Sequence, residues 1–389
     1  MRKQKAMKKI GIITVHRLPN WGSVLQAYAL QKTIRALGYD VENIEYKYPN
    51  SFHWARGKSW GMTEPVSFWG ILRKIKDEFL FALNLKAKPQ MRLLNEFIND
   101  NLKLSRKYSS YEELHNNPPI YDIYVSGSDQ IWNPHTMLGD TSYMFDFAPN
   151  NAKIISYASS FACNDVPLNL REQYIKYLKR YSSISVRENN GKSLIRRLVN
   201  KNADVVLDPT LLLNGDEWRS IASRAQNVKL PHNYILCYML SYTYSADEPM
   251  NKLLTRVQKQ YGWPIIMMKT SPKNFNGYQY KLPRNFNLGI PEFIYLMQHA
   301  SLIVSSSFHG TAFALNLGRP LLALTKDNED DRIESLVNNL GVAEQILVLT
   351  SNVTKKELTP FYDVNKEQSA LSKLRQKSIN YLSQSLNEQ

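Results

Sequence analysis

Short apolar runs alternate with stretches of helical period along most of this chain. Lys9–Val15 is a compact run rich in isoleucine. A polar segment follows from His16 to Gly22, and Ser23–Leu37 then places Val24, Leu25, Ala27, Tyr28, Leu30 and Leu37 at helical spacing. Gly38 ends that period, and Val41–Tyr46 is again strand-like. Strand, helix and strand in this order predict a βαβ unit, whose home is a parallel sheet with helices on both faces. Further strands are predicted at Ile123–Ser126, Ile154–Ala158, Ile184–Val186 and Val205–Leu207, with helices at Leu168–Arg180 and Lys192–Val199. Residues 50–118 interrupt the series with an aromatic, basic stretch that reads as a helical insertion without clear strands.

A second series follows the Asp208-Pro209-Thr210 turn and a linker at Leu213–Pro231 that contains a short helix. Its strands are predicted at Tyr234–Leu240, Ile265–Met268, Leu302–Ser305 and Leu321–Leu324. Its helices are predicted at Glu248–Tyr261, Pro291–His299, Thr311–Leu317 and Asp331–Leu340. The chain ends in a helix spanning roughly Lys366–Leu386, expected to pack back across both halves. The expected architecture is therefore α/β: a Rossmann-like domain over 1–212, a second over 213–365, and a C-terminal helix in 366–389. The two sheets should face an interdomain cleft. In such sheets ligands bind outside the carboxyl ends of the strands.

Length and composition agree with two folded domains, since 389 residues exceed one ordinary domain and 43% hydrophobic residues supply ample core. The formal net charge of +15 adds a further property: attraction to polyanions, anionic substrates or an acidic membrane surface. Residues 65–98 set apolar Phe68, Trp69, Ile71 and Leu72 against basic Arg73, Lys74 and Lys76. That pattern suits either a helix with a solvated face or an interfacial patch on the inner face of a membrane. Cys163 and Cys237 both lie in apolar, strand-like contexts and are expected as buried thiols, without a disulfide framework or zinc site. No signal peptide and no run of about 18 apolar residues is visible, so a cytoplasmic protein is expected.

Five loops at predicted strand ends carry the candidate chemistry. His16–Ser23 offers Asn20 and Ser23 as capping or ligand groups, and Gly22 permits close backbone approach. It is no dinucleotide fingerprint. Ser126–Pro134 offers Ser128, Asp129 and Gln130 to sugar hydroxyls and Trp132 to a pyranose face. Arg187 ends a buried strand, where a guanidinium needs either an internal carboxylate or an anionic ligand. Asp208-Pro209-Thr210 reads as turn chemistry and domain closure. In the fifth loop, Leu302–Ser305 runs into Ser306, Ser307, Phe308, His309 and Gly310 and then into a helix. His309 thus sits beside unpaired N–H groups that favour an anion, above all a phosphate. Lys326 and Arg332, after the next strand, add positive charge.

Taken in order, five segments resemble the polysaccharide pyruvyl transferase family. They are Gly11–Thr14 with His16 and Asn20–Leu30, then Gly127–Pro134, Ile184–Glu188, Asp208–Leu213 and Ser306–Phe313. The resemblance implies a GT-B-like pair of Rossmann-like domains. It implies transfer of pyruvate from phosphoenolpyruvate, as a ketal, to a sugar of a surface polysaccharide (capsule or exopolysaccharide) or its lipid-linked precursor. It places His309 at the family's catalytic histidine and Arg187 at an arginine that contacts phosphoenolpyruvate. Two departures stand out. Some members carry an arginine where this chain has Ser307, so phosphate neutralisation falls to Arg187, Lys326, Arg332 or the helix start. Gly127-Ser128-Asp129-Gln130 replaces a glycine-rich loop.

Phosphoenolpyruvate would be the donor substrate, and no cofactor, metal or nucleic acid is expected. His309, able to titrate near neutral pH, is the expected general acid, with Asp129 accepting a hydroxyl proton. Two other readings share parts of this pattern: a GT-B-type glycosyltransferase using a nucleotide sugar, and a non-enzymatic polyanion binder driven by the basic charge.

Overall fold

The computed structural model describes residues 7–46, 87–137, 139–240, 247–269, 272, 275–283, 285–325, 331–348 and 357–388. Two parallel sheets organise them. The first contains β1 (Lys9–Ile13), β2 (Asp40–Tyr46), β3 (Leu104–Tyr108), β4 (Ile123–Ser126) and β5 (Lys153–Ser156) in the order β3-β2-β1-β4-β5. A short parallel pair, β6 (Ser185–Val186) and β7 (Asp204–Val205), continues beyond β5 through the single bridges Ile155–Ser183 and Ser159–Val186. The second sheet contains β8 (Ile235–Met239), β9 (Ile265–Lys269), β10 (Leu302–Ser305), β11 (Leu321–Thr325) and β12 (Ile346–Val348) in the order β12-β11-β10-β8-β9.

Burial on both faces explains why the strands read as unbroken apolar runs. Ile10 of β1 pairs in register with Val41 and Ile123, and all three are buried. Around the sheets lie α1 (Trp21–Ala36), α2 (Ala87–Asn101), α3 (Tyr111–Asn116), α4 (Pro134–Met137), α5 (Leu168–Leu178) and α6 (Asn189–Val199). Then come α7 (Gly215–Ala222), α8 (Asp247–Tyr261), α9 (Ile290–His299), α10 (Phe308–Asn316), α11 (Arg332–Leu340) and α12 (Val364–Asn387).

Helix α1 joins the two halves. Its Leu30 and Ile34 pack with Ile10 and Ile12 of the first sheet. Trp21, Val24 and Leu25 on another side share a core with Tyr238, Phe293 and Phe313 of the second half. Trp21 stacks on Phe293 at 5.3 Å and donates its indole N–H to the Leu288 carbonyl at 3.1 Å. The C-terminal α12 crosses back over this junction. Leu371 enters the shared core, whereas Leu382 and Leu386 cover the first sheet. The Ser378 hydroxyl accepts the Leu207 N–H at 3.0 Å.

Two expectations change. The insertion expected over 50–118 contains a strand, β3, whose Ser105, Arg106 and Lys107 carry no apolar run because it is a half-covered edge. The segment with Phe68, Trp69 and Arg73 lies outside the described residues. Cys237 is buried on β8, where burial pushes its thiol up to about 12. Cys163, by contrast, is only half-buried, in a loop rather than a strand. Among the described residues no helix is long and apolar enough to cross a membrane.

Candidate active site

The carboxyl ends of β4, β6, β7 and β10, with the start of α1, bring one polar cluster together at the junction of the two halves. At its centre is Asp208, which follows β7 and is 1% exposed. Its Oδ1 accepts the Thr210 N–H at 2.9 Å and the Thr210 hydroxyl at 2.7 Å. Its Oδ2 accepts Arg187 Nη1 at 2.9 Å and lies 2.8 Å from Ser128 Oγ, whose single proton is shared with the Ala158 carbonyl at 2.9 Å. Burial opposes ionisation of this carboxyl. The charges of His309 and Arg187 and the Thr210 amide outweigh it and hold the group well below the usual carboxylate range.

Arg187 leaves the end of β6 and is 4% exposed. One face of its guanidinium lies over the Phe308 ring of the opposite half at 4.1 Å, a cation–π contact in a buried setting. Nη2 is 3.9 Å from Asp129 Oδ1, beyond a hydrogen bond. Among the described residues Arg187 Nε and Nη2 have no hydrogen-bond partner. The pairing with Asp208 is therefore single, and two donors of the fork are unused.

His309 is the second residue of α10. Ser307 caps that helix, its Oγ accepting the Gly310 N–H at 3.3 Å. The imidazole packs against Gly22 in the first turn of α1. A Cβ there would stand 2.2 Å from His309 Cγ and Nδ1, so only glycine fits. Nε2 points to Asp208 Oδ2 at 3.6 Å, and among the described residues it too has no hydrogen-bond partner.

Asp129 completes the cluster. Its backbone φ of 70° is left-handed, an unfavourable setting for a residue with a side chain, and it is held there by its surroundings. Oδ2 accepts the Ser23 hydroxyl at 2.6 Å and Oδ1 accepts the Gln130 N–H at 2.9 Å. Burial raises its proton affinity, but His309, Arg187 and the Ser23 hydrogen bond lower it below the ordinary value.

The structure thus brings together His309, Arg187, Asp129, Ser128 and Ser23. Other candidates have structural work. Trp132 is fully buried, 5.3 Å from Phe161 and edge-on to Tyr181 at 5.4 Å, so it offers no face to a sugar. Asn20 caps α1, accepting the Gly22 N–H at 3.0 Å, and Gln130 Oε1 accepts Asn133 Nδ2 at 2.8 Å. Ser306 Oγ accepts the Leu240 N–H at 3.2 Å. Ser307 and Gly310 satisfy each other across the helix cap, and a Cβ on Gly310 would meet Ser305 Oγ at 2.3 Å. Arg332 opens α11 in a half-buried position, and Lys326 lies outside the described residues. Asp208 was read from sequence as turn chemistry and domain closure. The available signal was its place immediately after a strand, level with the other four loops. Phe308, as a platform for arginine, left no signal beyond an apolar residue at a helix start.

In sequence, no curated protein matches this chain. Among solved structures, the S. aureus MnaA–UDP complex is 12% identical, with 95% of this chain and 97% of that one covered and a TM-score of 0.50. A putative UDP-N-acetylglucosamine 2-epimerase from Listeria monocytogenes is 10% identical, with 95% and 91% covered and a TM-score of 0.50. At that identity the likeness is one of fold: two Rossmann-like domains of GT-B type. The polysaccharide pyruvyl transferase family model matches residues 20–328, a range that contains Asp129, Arg187, Asp208 and His309. With most of its length so matched, the chain belongs to the polysaccharide pyruvyl transferase family.

Proposed function

We propose that the protein transfers the pyruvyl group of phosphoenolpyruvate to a sugar of a surface polysaccharide or its lipid-linked precursor, closing a ketal, with His309 as general acid. One observation carries this reading. Among the described residues Arg187 Nε and Nη2 and His309 Nε2 are buried nitrogens without hydrogen-bond partners, contributed by opposite halves on either side of Asp208. Orphaned buried donors are costly, and an anionic ligand with phosphate and carboxylate oxygens would satisfy them.

In this scheme His309 gives a proton to C3 of phosphoenolpyruvate, leaving an oxocarbenium-like centre at C2. One sugar hydroxyl attacks C2, the C2–O bond to phosphate breaks, and a second hydroxyl of the same sugar closes the ketal. Two hydroxyl protons are released. One returns to His309 and the other leaves on phosphate, so the charge balances. In this scheme Asp129, whose Oδ2 accepts the Ser23 hydroxyl, relays the first of them. The cluster is more than nine-tenths buried, so substrates reach it when the two halves part and reaction follows closure. A donor of this kind belongs to the cytoplasm, with the acceptor presented there or at the inner membrane face.

The test is incubation of the protein with carbon-labelled phosphoenolpyruvate and a panel of lipid-linked glycans. Acid-labile label in the glycan, matched by phosphate release, is the expected result. Label that stays in phosphoenolpyruvate while a UDP-sugar is turned over would replace this reading with glycosyl transfer.

A further inference from the structure

The reading above uses His309 and Arg187 as working groups and leaves unexplained why a buried carboxylate stands between them. An anion beside a site for an anionic donor weakens binding unless it does something else. Its geometry shows what that is. Asp208 is fixed by groups of its own half before either working group touches it. Pro209 and the Thr210 N–H and hydroxyl set Oδ1, and Ser128 Oγ supports Oδ2. On that rigid base, Oδ2 receives Arg187 Nη1 at 2.9 Å from its own half and faces His309 Nε2 at 3.6 Å from the other. With Nη1 bonded, Nε and Nη2 of the guanidinium have no hydrogen-bond partner among the described residues. The 3.6 Å gap is an ion pair with a protonated imidazole and too long for a hydrogen bond with a neutral one.

We propose that Asp208 is a positioning residue, a fixed carboxylate that orients the Arg187 fork and holds the protonated His309 opposite it when the two halves close. This rests on the reading of the site as a phosphoenolpyruvate site. It differs from a purely structural role, because removing the charge while keeping the shape should change how the site responds to pH. The charged groups that face His309 among the described residues are Asp208 after β7, Asp129 after β4 and Arg187 after β6. α1 presents only the Gly22 backbone. Asp208 is thus the nearer of two anions supporting the imidazolium.

Asp208→Asn keeps an oxygen for the Thr210 donors and replaces Oδ2 by an N–H donor, which can bond Ser128 Oγ but repels Arg187 Nη1. Phosphoenolpyruvate is titrated calorimetrically into the whole protein and into this variant between pH 5 and 9. In the unaltered protein affinity should fall on the alkaline side. In Asp208→Asn that fall should move to lower pH by about one unit or more, the usual effect of removing an opposite charge at this distance. At pH 5 the affinity should already be lower by about tenfold or more, because Arg187 keeps its charge but loses the carboxylate that aims its fork. If the amide variant does not fold, Asp208→Ser, neutral and smaller, should show the same displacement. A folded neutral variant whose pH dependence coincides with that of the unaltered protein overturns the proposal. If phosphoenolpyruvate binds neither protein, the donor assignment fails. The carbon-13 resonance of His309 Cε1, identified by its loss in His309→Gln, then decides alone: an unchanged titration midpoint in Asp208→Asn refutes the positioning role.

Discussion

Alanine at position 22 should disable the protein by moving His309. The added Cβ would stand 2.2 Å from Cγ and Nδ1 of the imidazole and 2.7 Å from its Cβ. Carbon atoms in contact prefer about 3.5–4.0 Å, so ring and helix must separate by roughly 1.3 Å or more. The ring cannot swing away freely, because His309 and its helix α10 are buried and Phe308 is held against Arg187. Overpacking of this kind costs about 1–3 kcal/mol, offset by up to about 1 kcal/mol from the better helix propensity of alanine. Displacing a reacting group by about 1 Å costs on the order of 100-fold in rate. Gly22→Ala should therefore remain folded, lose about 1 kcal/mol or somewhat more, and lose about two orders of magnitude in phosphoenolpyruvate turnover. The decisive assay is a double-mutant cycle by urea denaturation with His309→Ala, which removes the ring. Gly22→Ala should be neutral or stabilising in that background, with a coupling of about 1–2 kcal/mol. Equal losses in both backgrounds, or a Gly22→Ala protein with normal turnover, would refute the claim that this glycine sets the imidazole.

Three further outcomes follow from the same geometry. His309→Gln keeps a polar group at the helix start but delivers no proton at neutral pH, so turnover should fall about 10²–10⁴-fold; near-normal turnover would remove the acid from the scheme. Arg187→Lys loses the two-pronged fork and its stacking on Phe308, so phosphoenolpyruvate affinity measured by calorimetry should drop about tenfold or more, and unchanged affinity in a folded variant would move the anion site elsewhere. Burial near the start of α12 pushes Glu367 up to about 7. Its folded-state value lies above the ordinary one, so the folded chain holds the extra proton between about pH 4.5 and 7. The group's penalty is absent below that window and complete above it, up to about 3 kcal/mol. Glu367→Gln should thus stabilise the protein at pH 8 and do little at pH 5, by urea denaturation; equal effects at both would contradict the assignment.

The alternation of strands and helices was legible because parallel strands covered on both sides must be apolar along their whole length. Ile10, Ile12 and Ile13 of β1 and Leu302–Val304 of β10 announce themselves in this way. The same rule hides edges. β3 is half solvated and shows no run, and β12, although apolar, is only three residues long with an exposed Val348. Helix α1 was legible as a helix, but not its degree of burial: twelve of its residues are buried because a second half packs on a further side of it.

The candidate site divides along similar lines. His309 and Arg187 could be picked out because each is a charged or titratable residue at the end of an apolar run, where local physics demands a partner. Trp132 met the same kind of test and failed it: an aromatic beside polar residues has the same local pattern whether its ring lies in the core or in a cleft. Which of the two holds depends on Phe161 and Tyr181, which reach Trp132 only through the fold. Asp208 is the converse. Locally it is a turn cap, bonded to Thr210 two residues on. Its place between Arg187 and His309 exists only because the ends of β6 and β7 lie side by side and α10 of the other half closes over them. Periodicity and turn chemistry are short-range and are written into the chain. The pairing of charges across a domain junction is set by distances that no local pattern contains, and so the tertiary structure alone decided which carboxylate, which donors and which glycine surround His309.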